Sequence, residues 1–252
     1  MSLLECVGLT KKWGGVAAVS DVDISVASGE VVALIGPNGA GKSTVFNLIA
    51  GATKKTAGTV SFRGERVEHL AAHALARRGL SRTYQITCLY PDLTTVENVR
   101  LTIQARESSR MNPIPSRAML ARTTDEAMHW LGQVRLQRHA ASPAGVLSHG
   151  DQRLLEIATA LALNPKLVLL DEPTQGMSLD ETRGTVELLH SLLQGSEMAV
   201  LLVEHDLEVV FGLAHRIVVL DRGRKIADGS PDEVKASPAV QQAYLGVGHA
   251  AS

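Results

Sequence analysis

A glycine-rich segment early in the chain has the residue types and the spacing that bind phosphate groups. It matches the pattern G-x-x-x-x-G-K-[ST] in full and reads Gly36-Pro37-Asn38-Gly39-Ala40-Gly41-Lys42-Ser43-Thr44. Glycines let the backbone pass close to phosphate oxygens and direct successive N–H groups toward them. Lys42 is then expected to reach the β- and γ-phosphates, and the Ser43 hydroxyl to be a ligand of Mg²⁺. This phosphate loop therefore predicts nucleotide binding.

The elements on either side of the loop favour this interpretation over an ordinary glycine-rich turn. An apolar run, Val31–Ile35, precedes the loop, and a helical pattern from Ser43 to Ala50 follows it. The start of a helix carries partial positive charge and unpaired N–H groups, so it attracts anions. With the Lys-Ser pair in register, the strand–loop–helix order is the context that the motif requires.

Two carboxylates end a second apolar run and are candidates for metal binding and catalysis. Leu167–Leu170 leads into Asp171 and Glu172. An unpaired charge at the end of a buried strand is costly, so Mg²⁺ or Lys42 is expected close to Asp171. Glu172 can point to the other side and orient or deprotonate an attacking water. The alternative is a plain acidic pair at a strand end, and the phosphate loop favours the functional interpretation.

Two further polar side chains follow apolar, strand-like runs. Gln85 ends a run that begins at Leu80, and His205 comes shortly after a run that ends at Val203. A solitary histidine more often has a structural role. However, the carboxyl ends of parallel strands meet at one edge of a sheet, where α/β proteins bind their ligands. We therefore expect the phosphate loop, the two carboxylates, Gln85 and His205 to share one rim.

The remaining segments predict an antiparallel sheet and a mostly helical insertion. Residues 3–7, residues 19–26 and a hairpin over 58–67 read as antiparallel strands. A helix is predicted over His69–Arg78, and further helices over Thr95–Arg106 and Ser116–Val134, in a region where prolines replace β-branched runs. Within that region, residues 110–115 read as an exposed loop.

Two local features each allow two interpretations. Trp13, beside Gly14 and Gly15, offers either a flat face for an adenine ring or a side chain for the core. Ser148 opens an apolar helix that Asn164-Pro165 stops, and Asp151 three residues on resembles a capping box. A helix start with a hydroxyl and free N–H groups is also an anion site. These two roles of Ser148 are compatible.

Composition excludes several classes of protein. The 252 residues carry 25 Lys+Arg against 26 Asp+Glu, a net charge of −1, and no long basic run, so a nucleic-acid partner is not expected. No apolar run is long enough to cross a bilayer, and the N-terminus lacks a signal-like region, which predicts a cytosolic chain. Two distant cysteines, Cys6 and Cys88, predict neither a disulfide framework nor a metal site.

Taken together, these motifs resemble those of the ATP-binding subunits of ABC transporters, over essentially the whole chain. The signature motif, Ser148–Asp151, departs mildly from the family's commonest form, because His149 and Asp151 stand where that form has Gly and Gln. The matching positions, in the family's order, are Trp13 for the adenine-stacking aromatic, Gly36–Thr44 for Walker A, Gln85 for the Q-loop, Ser148–Asp151 for the signature, Leu167–Glu172 for Walker B, Ser178-Leu179-Asp180 for the D-loop and His205 for the switch histidine.

Three segments are most similar to the class of importers for branched-chain amino acids, urea and related amides. They are Arg82–Gln85, Leu93–Val99 and the tail Asp221–Gly246. Within the tail, Ser230-Pro231-Asp232-Glu233 also predicts a capped helix start. These segments indicate a subclass and do not name the solute.

The resemblance implies a fold as well. It implies a single ABC ATPase domain over 1–252, an α/β fold with a P-loop NTPase (RecA-like) core. An antiparallel β subdomain would belong to that core, formed by residues 1–85 and 149–252. Residues 86–148 would form an inserted α-helical subdomain.

The implied mechanism is hydrolysis of Mg·ATP between two subunits arranged head to tail. Glu172 would be the general base, His205 and Lys42 would contact the phosphates, and Trp13 would stack on adenine. Ser43, Gln85 and, through a water, Asp171 would hold the metal. Ser148 and Gly150 would act on the partner's nucleotide, and the D-loop residue Asp180 would lie at the nucleotide.

The resemblance also implies partners and a place of action. The partner ATP-binding subunit is either identical or different. Integral membrane permeases and an extracytoplasmic solute-binding protein would complete an importer, with this chain on the cytoplasmic face of the inner membrane.

The alternative is an ABC ATPase outside transport, in DNA repair or translation. Repair proteins insert a long coiled coil before the signature, and only residues 45–147 lie there in this chain. Translation-associated proteins normally carry two cassettes, and this chain has one.

Overall fold

Strands and helices alternate along the chain, which is known here from a computed structural model that describes residues 2–83, 89–107 and 116–245. The strands are β1 (Ser2–Trp13), β2 (Val16–Ala27), β3 (Val31–Ile35), β4 (Ala57–Phe62), β5 (Glu65–Arg66), β6 (Leu80–Arg82), β7 (Leu167–Asp171), β8 (Ala199–Val203), β9 (Arg216–Asp221) and β10 (Arg224–Gly229). The α-helices are α1 (Lys42–Ile49), α2 (Ala72–Arg77), α3 (Thr95–Glu107), α4 (Arg117–Gln133), α5 (His149–Ala162), α6 (Leu179–Leu193), α7 (Leu207–Leu213), α8 (Pro231–Ala236) and α9 (Pro238–Leu245).

The first sheet is antiparallel, in the order β2-β1-β4-β5, and the strands and hairpin predicted there are confirmed. β1 and β2 are longer than predicted, because their ladder continues to a pair between Trp13 and Val16. The solvent-facing end of a strand needs no apolar alternation, so the sequence pattern underestimated its length. Trp13 therefore lies at a strand end, beside the hairpin turn at Gly14 and Gly15.

The second sheet has the order β10-β9-β3-β8-β7-β6. The five strands from β9 to β6 in this order run parallel, and the edge strand β10 pairs antiparallel with β9. β3, β7 and β8 are buried along their whole length, as expected of parallel strands that are covered on both faces. Their carboxyl ends lie side by side and form the rim that the sequence predicted.

Alternate residues of the parallel strands pack into different hydrophobic clusters. Leu167 and Leu169 of β7 join the cluster that contains α1 and the antiparallel sheet, whereas Val168 and Leu170 face the side of α5, α6 and α7. This period of two is the direct result of strand geometry. The mixed α/β architecture with two sheets agrees with the predicted fold class.

Helices α3 and α4 form a separate cluster with α5. Leu155 and Ala158 of α5 pack against residues of α3 and α4, whereas Ile157 and Leu161 of the same helix pack toward the sheet. The boundary predicted at 148/149 thus falls at the first residue of a helix that contacts both parts. The predicted helices over 95–106 and 116–134 are confirmed, and α2 is shorter than predicted.

Charged side chains also connect the two long helices α3 and α4. The guanidinium of Arg122 donates to both carboxylate oxygens of Glu107, and Arg106 donates to Glu107 and Glu126. Tyr84, Gln85 and the loop predicted at 110–115 lie outside the described residues. Within the described ranges, no helix combines the length and the apolar character needed to cross a bilayer.

Candidate active site

The phosphate loop connects the end of β3 to the start of α1, and two of its glycines are required by close backbone contacts. A Cβ atom on Gly36 would lie 2.1 Å from the carbonyl oxygen of Leu220, and one on Gly41 would lie 2.7 Å from that of Ala18. Gly41 also has a φ of 105°, in the region that favours glycine. The loop therefore packs closely against the backbones of β9 and β2, and side chains at positions 36 and 41 would not fit there.

Lys42 is buried, with 6% of its surface exposed. Its Nζ donates to the carbonyl oxygens of Gly36 at 2.7 Å and of Pro37 at 3.2 Å. Burial lowers the pKa of the Lys42 ammonium, and the carboxylate of Glu172 opposes that shift. A phosphate group placed in the loop would replace the two carbonyls as acceptor, so the ammonium is already positioned at the loop.

Glu172 follows β7 in a left-handed backbone conformation, with φ 50°. This region is disfavoured for residues other than glycine and often marks functional sites. The turn is fixed because the N–H of Glu172 donates to the carbonyl of Val203 at 2.9 Å. The turn brings Glu172 Oε1 within 2.7 Å of His205 Nε2. Glu172 is buried, and 47% of the His205 side chain is exposed.

Asp171 is paired with a cation that the sequence reasoning did not identify. Its Oδ2 accepts from Arg82 Nη2 at 2.9 Å, and Arg82 Nη1 also donates to Asn47 Oδ1 at 2.7 Å. Lys42, which was predicted as one of two alternative partners, bonds to loop carbonyls instead. Arg82 stands at the end of β6, the neighbour of β7, so this pairing depends on strand order.

The second oxygen of Asp171 has the environment of a metal-binding group. Asp171 is 2% exposed, and its Oδ1 has no hydrogen-bond partner among the described residues. A buried carboxylate oxygen without a partner is costly unless a cation or a water meets it. Carboxylate oxygens are ligands that Mg²⁺ accepts directly or through a water, so the unpartnered Oδ1 of Asp171 has the chemistry of a metal ligand.

One cavity brings most of the predicted residues together. It has a volume of about 360 Å³, and its lining includes the two catalytic candidates Glu172 and His205. The other lining residues are Ala18 and the loop residues from Asn38 to Thr44. A cavity with backbone donors, a lysine and a buried carboxylate at one rim suits a nucleoside triphosphate.

Three residues predicted at the nucleotide and located near helix starts lie elsewhere. Ser148, Gly150 and Asp180 do not line this cavity. Ser148 and Asp180 are exposed at the starts of α5 and α6, so within one chain they do not meet the phosphate loop. Gln85 is outside the described residues.

Trp13 is 58% exposed, and this exposure excludes the core-packing alternative. Lys11 Nζ lies 3.9 Å from the centroid of the indole ring, in a cation–π contact. Trp13 pairs with Val16 across the hairpin, and Ala18 on the same hairpin lines the cavity. The structure thus places a flat aromatic side chain on the hairpin that borders the nucleotide-facing space.

The start of α5 is capped, but the full capping box is not formed there. Ser148 Oγ accepts from the N–H of Asp151 at 3.1 Å. The shorter Asp151 side chain does not return the bond, whereas Ser178 with Glu181 forms the complete box at α6. A Cβ on Gly150 would lie 2.8 Å from Glu181 Oε1, so any larger residue there would require the Glu181 side chain to shift. The hydroxyl of Ser148 remains exposed beside this cap.

Three residues at the site, Arg82, Thr174 and Glu204, were not predicted from the sequence. Arg82 compensates Asp171, and Glu204 accepts hydrogen bonds from Thr174 and from the backbone of His205. The signal for Glu204 was present, because it is a carboxylate directly after a wholly apolar strand. Such a charge is buried and must find donors.

Comparisons with known proteins identify the family of the chain. Residues 19–175 match the family described as ABC transporter, and residues 224–250 match the family described as branched-chain amino acid ATP-binding cassette transporter. The chain is 39% identical to the high-affinity branched-chain amino acid transport ATP-binding protein BraF of Pseudomonas aeruginosa, over 97% of this chain and 98% of BraF. It is 38% identical to the corresponding protein LivG of Escherichia coli K12, with the same coverage.

A solved structure of similar shape is the ADP conformation of MJ1267, an ATP-binding cassette of an ABC transporter. The TM-score is 0.84 at 28% identity, and the match covers 98% of this chain and 99% of that one. With a family match over more than half of its length and relatives above 30% identity over nearly all of it, the chain belongs to the ABC transporter family, as one of its ATP-binding, ATP-hydrolysing subunits.

Proposed function

We propose that this chain hydrolyses Mg·ATP to drive uptake of branched-chain amino acids, or of a related small amide or amino-acid solute, through separate permease subunits. One observation carries the catalytic part: Glu172 Oε1 and His205 Nε2 lie 2.7 Å apart in the cavity bounded by the phosphate loop. The solute class is supported by the match of residues 224–250 and by the names of BraF and LivG.

Within this proposal, each residue at the rim has a distinct task. Glu172 accepts a proton from the attacking water, and its hydrogen bond to His205 orients the carboxylate before ATP arrives. His205, whose side chain is half exposed, contacts the γ-phosphate. Lys42 exchanges its two carbonyl acceptors for phosphate oxygens. These roles use electrostatic positioning rather than covalent chemistry, as expected for phosphoryl transfer.

The proposed metal ligands are Ser43, Asp171 through a water, and Gln85. Magnesium, when bound, neutralises charge on the β- and γ-phosphates. The unpartnered Oδ1 of Asp171 supports this set, while Arg82 holds the other oxygen and so fixes the direction of the carboxylate. Chelation should abolish hydrolysis while leaving nucleotide binding measurable.

We infer that the functional unit is a pair of ATP-binding subunits arranged head to tail. Ser148 is exposed at the start of α5 and does not line the cavity of its own chain. Its hydroxyl, with Gly150, would meet the phosphates bound by a partner, and Asp180 would lie at the same junction. Permeases and an extracytoplasmic solute-binding protein would complete the importer, with this chain on the cytoplasmic face of the inner membrane.

Copurification tests the transporter assignment. Tagged chain recovered from gently solubilised membranes should bring down two integral permeases. That assembly should transport leucine, isoleucine or valine in an uptake assay. Recovery without an integral partner, together with ATPase activity stimulated by DNA or ribosomes, would favour the alternative of an ABC ATPase outside transport.

Gel filtration tests the head-to-tail pair. Glu172→Gln removes the base and keeps its size, so this variant should form a stable dimer in Mg·ATP. Adding Ser148→Arg should abolish the dimer, because a bulky cation would replace the hydroxyl at the partner's phosphates. Ser191→Arg, the same change at an exposed site near the end of α6, is the matched control and should leave the dimer intact. Lys42→Ala should bind no nucleotide and remain monomeric.

One outcome would contradict a head-to-tail dimer of the isolated chain. If Glu172→Gln binds ATP at saturation and still elutes as a monomer, Ser148 needs another explanation.

A further inference from the structure

The buried carboxylate of Glu204 stands directly before His205 and takes no part in the function proposed above. It ends β8 and is 4% exposed. Within the described parts of the chain, no Lys, Arg or His side chain forms an ion pair with it. Burying a carboxylate without compensation is costly, so its hydrogen bonds must hold it.

Three donors from two chain segments meet this carboxylate. Oε1 accepts from the N–H of Thr174 at 2.9 Å and from its Oγ1 hydroxyl at 2.6 Å. Oε2 accepts from the N–H of His205 at 3.0 Å. Thr174 is itself only 6% exposed. Each oxygen therefore serves a different segment, one after β7 and the other after β8.

The same two segments carry the catalytic pair. Thr174 lies two residues after Glu172, and His205 follows Glu204. The 2.7 Å contact between Glu172 Oε1 and His205 Nε2 therefore joins the same two segments that the Glu204 carboxylate joins through its hydrogen bonds. Glu172 is held in a left-handed conformation, which persists only where neighbouring structure fixes it.

We propose that Glu204 is a positioning residue for ATP hydrolysis. Its carboxylate joins the segment after β7 to the backbone of His205, and this junction sets the relative position of Glu172 and His205. Glu204 acts through Thr174 and His205 and does not touch the nucleotide. The inference rests on the proposed roles of Glu172 and His205.

The principal test separates turnover from nucleotide binding in the purified full-length chain. Glu204→Gln keeps the size but replaces one acceptor oxygen with an amide that faces a donor. We expect kcat for ATP hydrolysis to fall about tenfold to a hundredfold, since small misplacements of catalytic groups have effects of this size. The Kd for ATP, measured without metal, should change by less than about threefold, since the phosphate loop is unaltered.

Thr174 supplies the conservative pair of variants. Thr174→Val removes the hydroxyl and keeps the shape, so kcat should fall about threefold to tenfold, the range of one lost hydrogen bond. Thr174→Ser restores the hydroxyl and should recover kcat to within about twofold of wild type. The double variant Thr174→Val/Glu204→Gln should lose little more than Glu204→Gln alone, because both changes break one junction.

Glu30→Gln is the control for losing a partly buried, hydrogen-bonded carboxylate, 19% of whose side chain is exposed. Glu30 bonds to Arg216 Nε at 2.7 Å and to the N–H of Ala27 at 2.7 Å, at the amino end of β3, opposite the rim. This variant should lower the thermal midpoint and leave kcat unchanged.

Two results overturn the inference. One is wild-type kcat in both Glu204→Gln and Thr174→Val. The other is a loss of kcat with a merely structural cause. In that case the loss scales with the fall in thermal midpoint in the same way in Glu204→Gln and Glu30→Gln, or Thr174→Ser has the same reduced kcat as Thr174→Val. If Glu204→Gln does not fold, the two Thr174 variants decide. Failure of the proposed function looks different: there, the wild type would hydrolyse no ATP, or Glu172→Gln would retain full activity.

Discussion

Replacing Trp13 by alanine should weaken nucleotide binding without destabilising the fold. The indole is 58% exposed at the end of β1, so its removal opens no cavity. Surface substitutions of this kind usually change the free energy of unfolding by less than about 0.5 kcal/mol. A loss of affinity would therefore report on a contact with the nucleotide.

The size of the loss can be estimated from the ring that is available. Base stacking on an aromatic side chain is worth about 1–3 kcal/mol by alanine substitution. Lys11 Nζ lies 3.9 Å from the ring centroid and already occupies part of the aromatic surface, so the lower part of this range applies. We therefore expect about 1–2 kcal/mol, a rise in Kd of about fivefold to thirtyfold. Because stacking reads the flat face of any base, GTP should bind within about tenfold of ATP.

Intrinsic fluorescence provides the assay, because the chain has 2 tryptophans. ATP should quench Trp13, and Trp13→Phe should remove the quenching. Trp130→Phe should retain it, since Trp130 lies with Lys166 and Met198, which precede β7 and β8 at the opposite edge of the sheet. Val16→Ala, on the same hairpin and 71% exposed, is the matched control for affinity.

Two results would refute the stacking argument. They are an unchanged Kd in Trp13→Ala, or ATP-dependent quenching that survives in Trp13→Phe. Either result would mean that the exposed indole serves another contact.

Three further predictions concern single side chains. Glu172→Gln should reduce ATP hydrolysis by about 10²-fold or more, the scale of a lost general base, with ATP affinity equal or higher in equilibrium binding. The hydrogen bond from Arg122 lowers the pKa of Glu107 to about 2. The ionised carboxylate therefore contributes to the free energy of unfolding above the unfolded pKa of about 4.3, and this contribution is lost as the pH falls toward 2. In denaturant titrations, the free energy of unfolding of Glu107→Gln should fall less steeply with acidification than that of the wild type. Burial raises the pKa of the Cys6 thiol to about 12, so in a Cys88→Ser background iodoacetamide at pH 8 should label Cys6 only after unfolding, and rapid labelling of the folded chain would contradict its burial.

The parts of the site that are local in sequence could be predicted from it. The phosphate loop, the acidic pair after β7 and the histidine after β8 each follow an apolar run, and one run is visible in one window of sequence. The predicted helix start at Ser230 is also confirmed, with Pro231 in the first turn and Glu233 closing the box. Such features depend on residues three or four positions apart.

The parts that depend on strand order could not be predicted in the same way. Arg82 compensates Asp171 because β6 lies beside β7, and Thr174 reaches Glu204 because β7 lies beside β8. Neither neighbour follows from a local pattern. The exposure of Trp13 was undecided for a related reason, since burial is set by what packs on the hairpin and not by the hairpin's own residues.

The position of β3 between β8 and β9 constrains how the chain can acquire its structure during synthesis. β3 ends at Ile35, but its neighbours begin at Ala199 and Arg216. Until both emerge from the ribosome, the apolar strand before the phosphate loop has two unpaired edges, which is the condition for aggregation. Contacts so distant along the chain also slow folding. A chain terminated before β8 should therefore be insoluble, although it contains the complete phosphate loop.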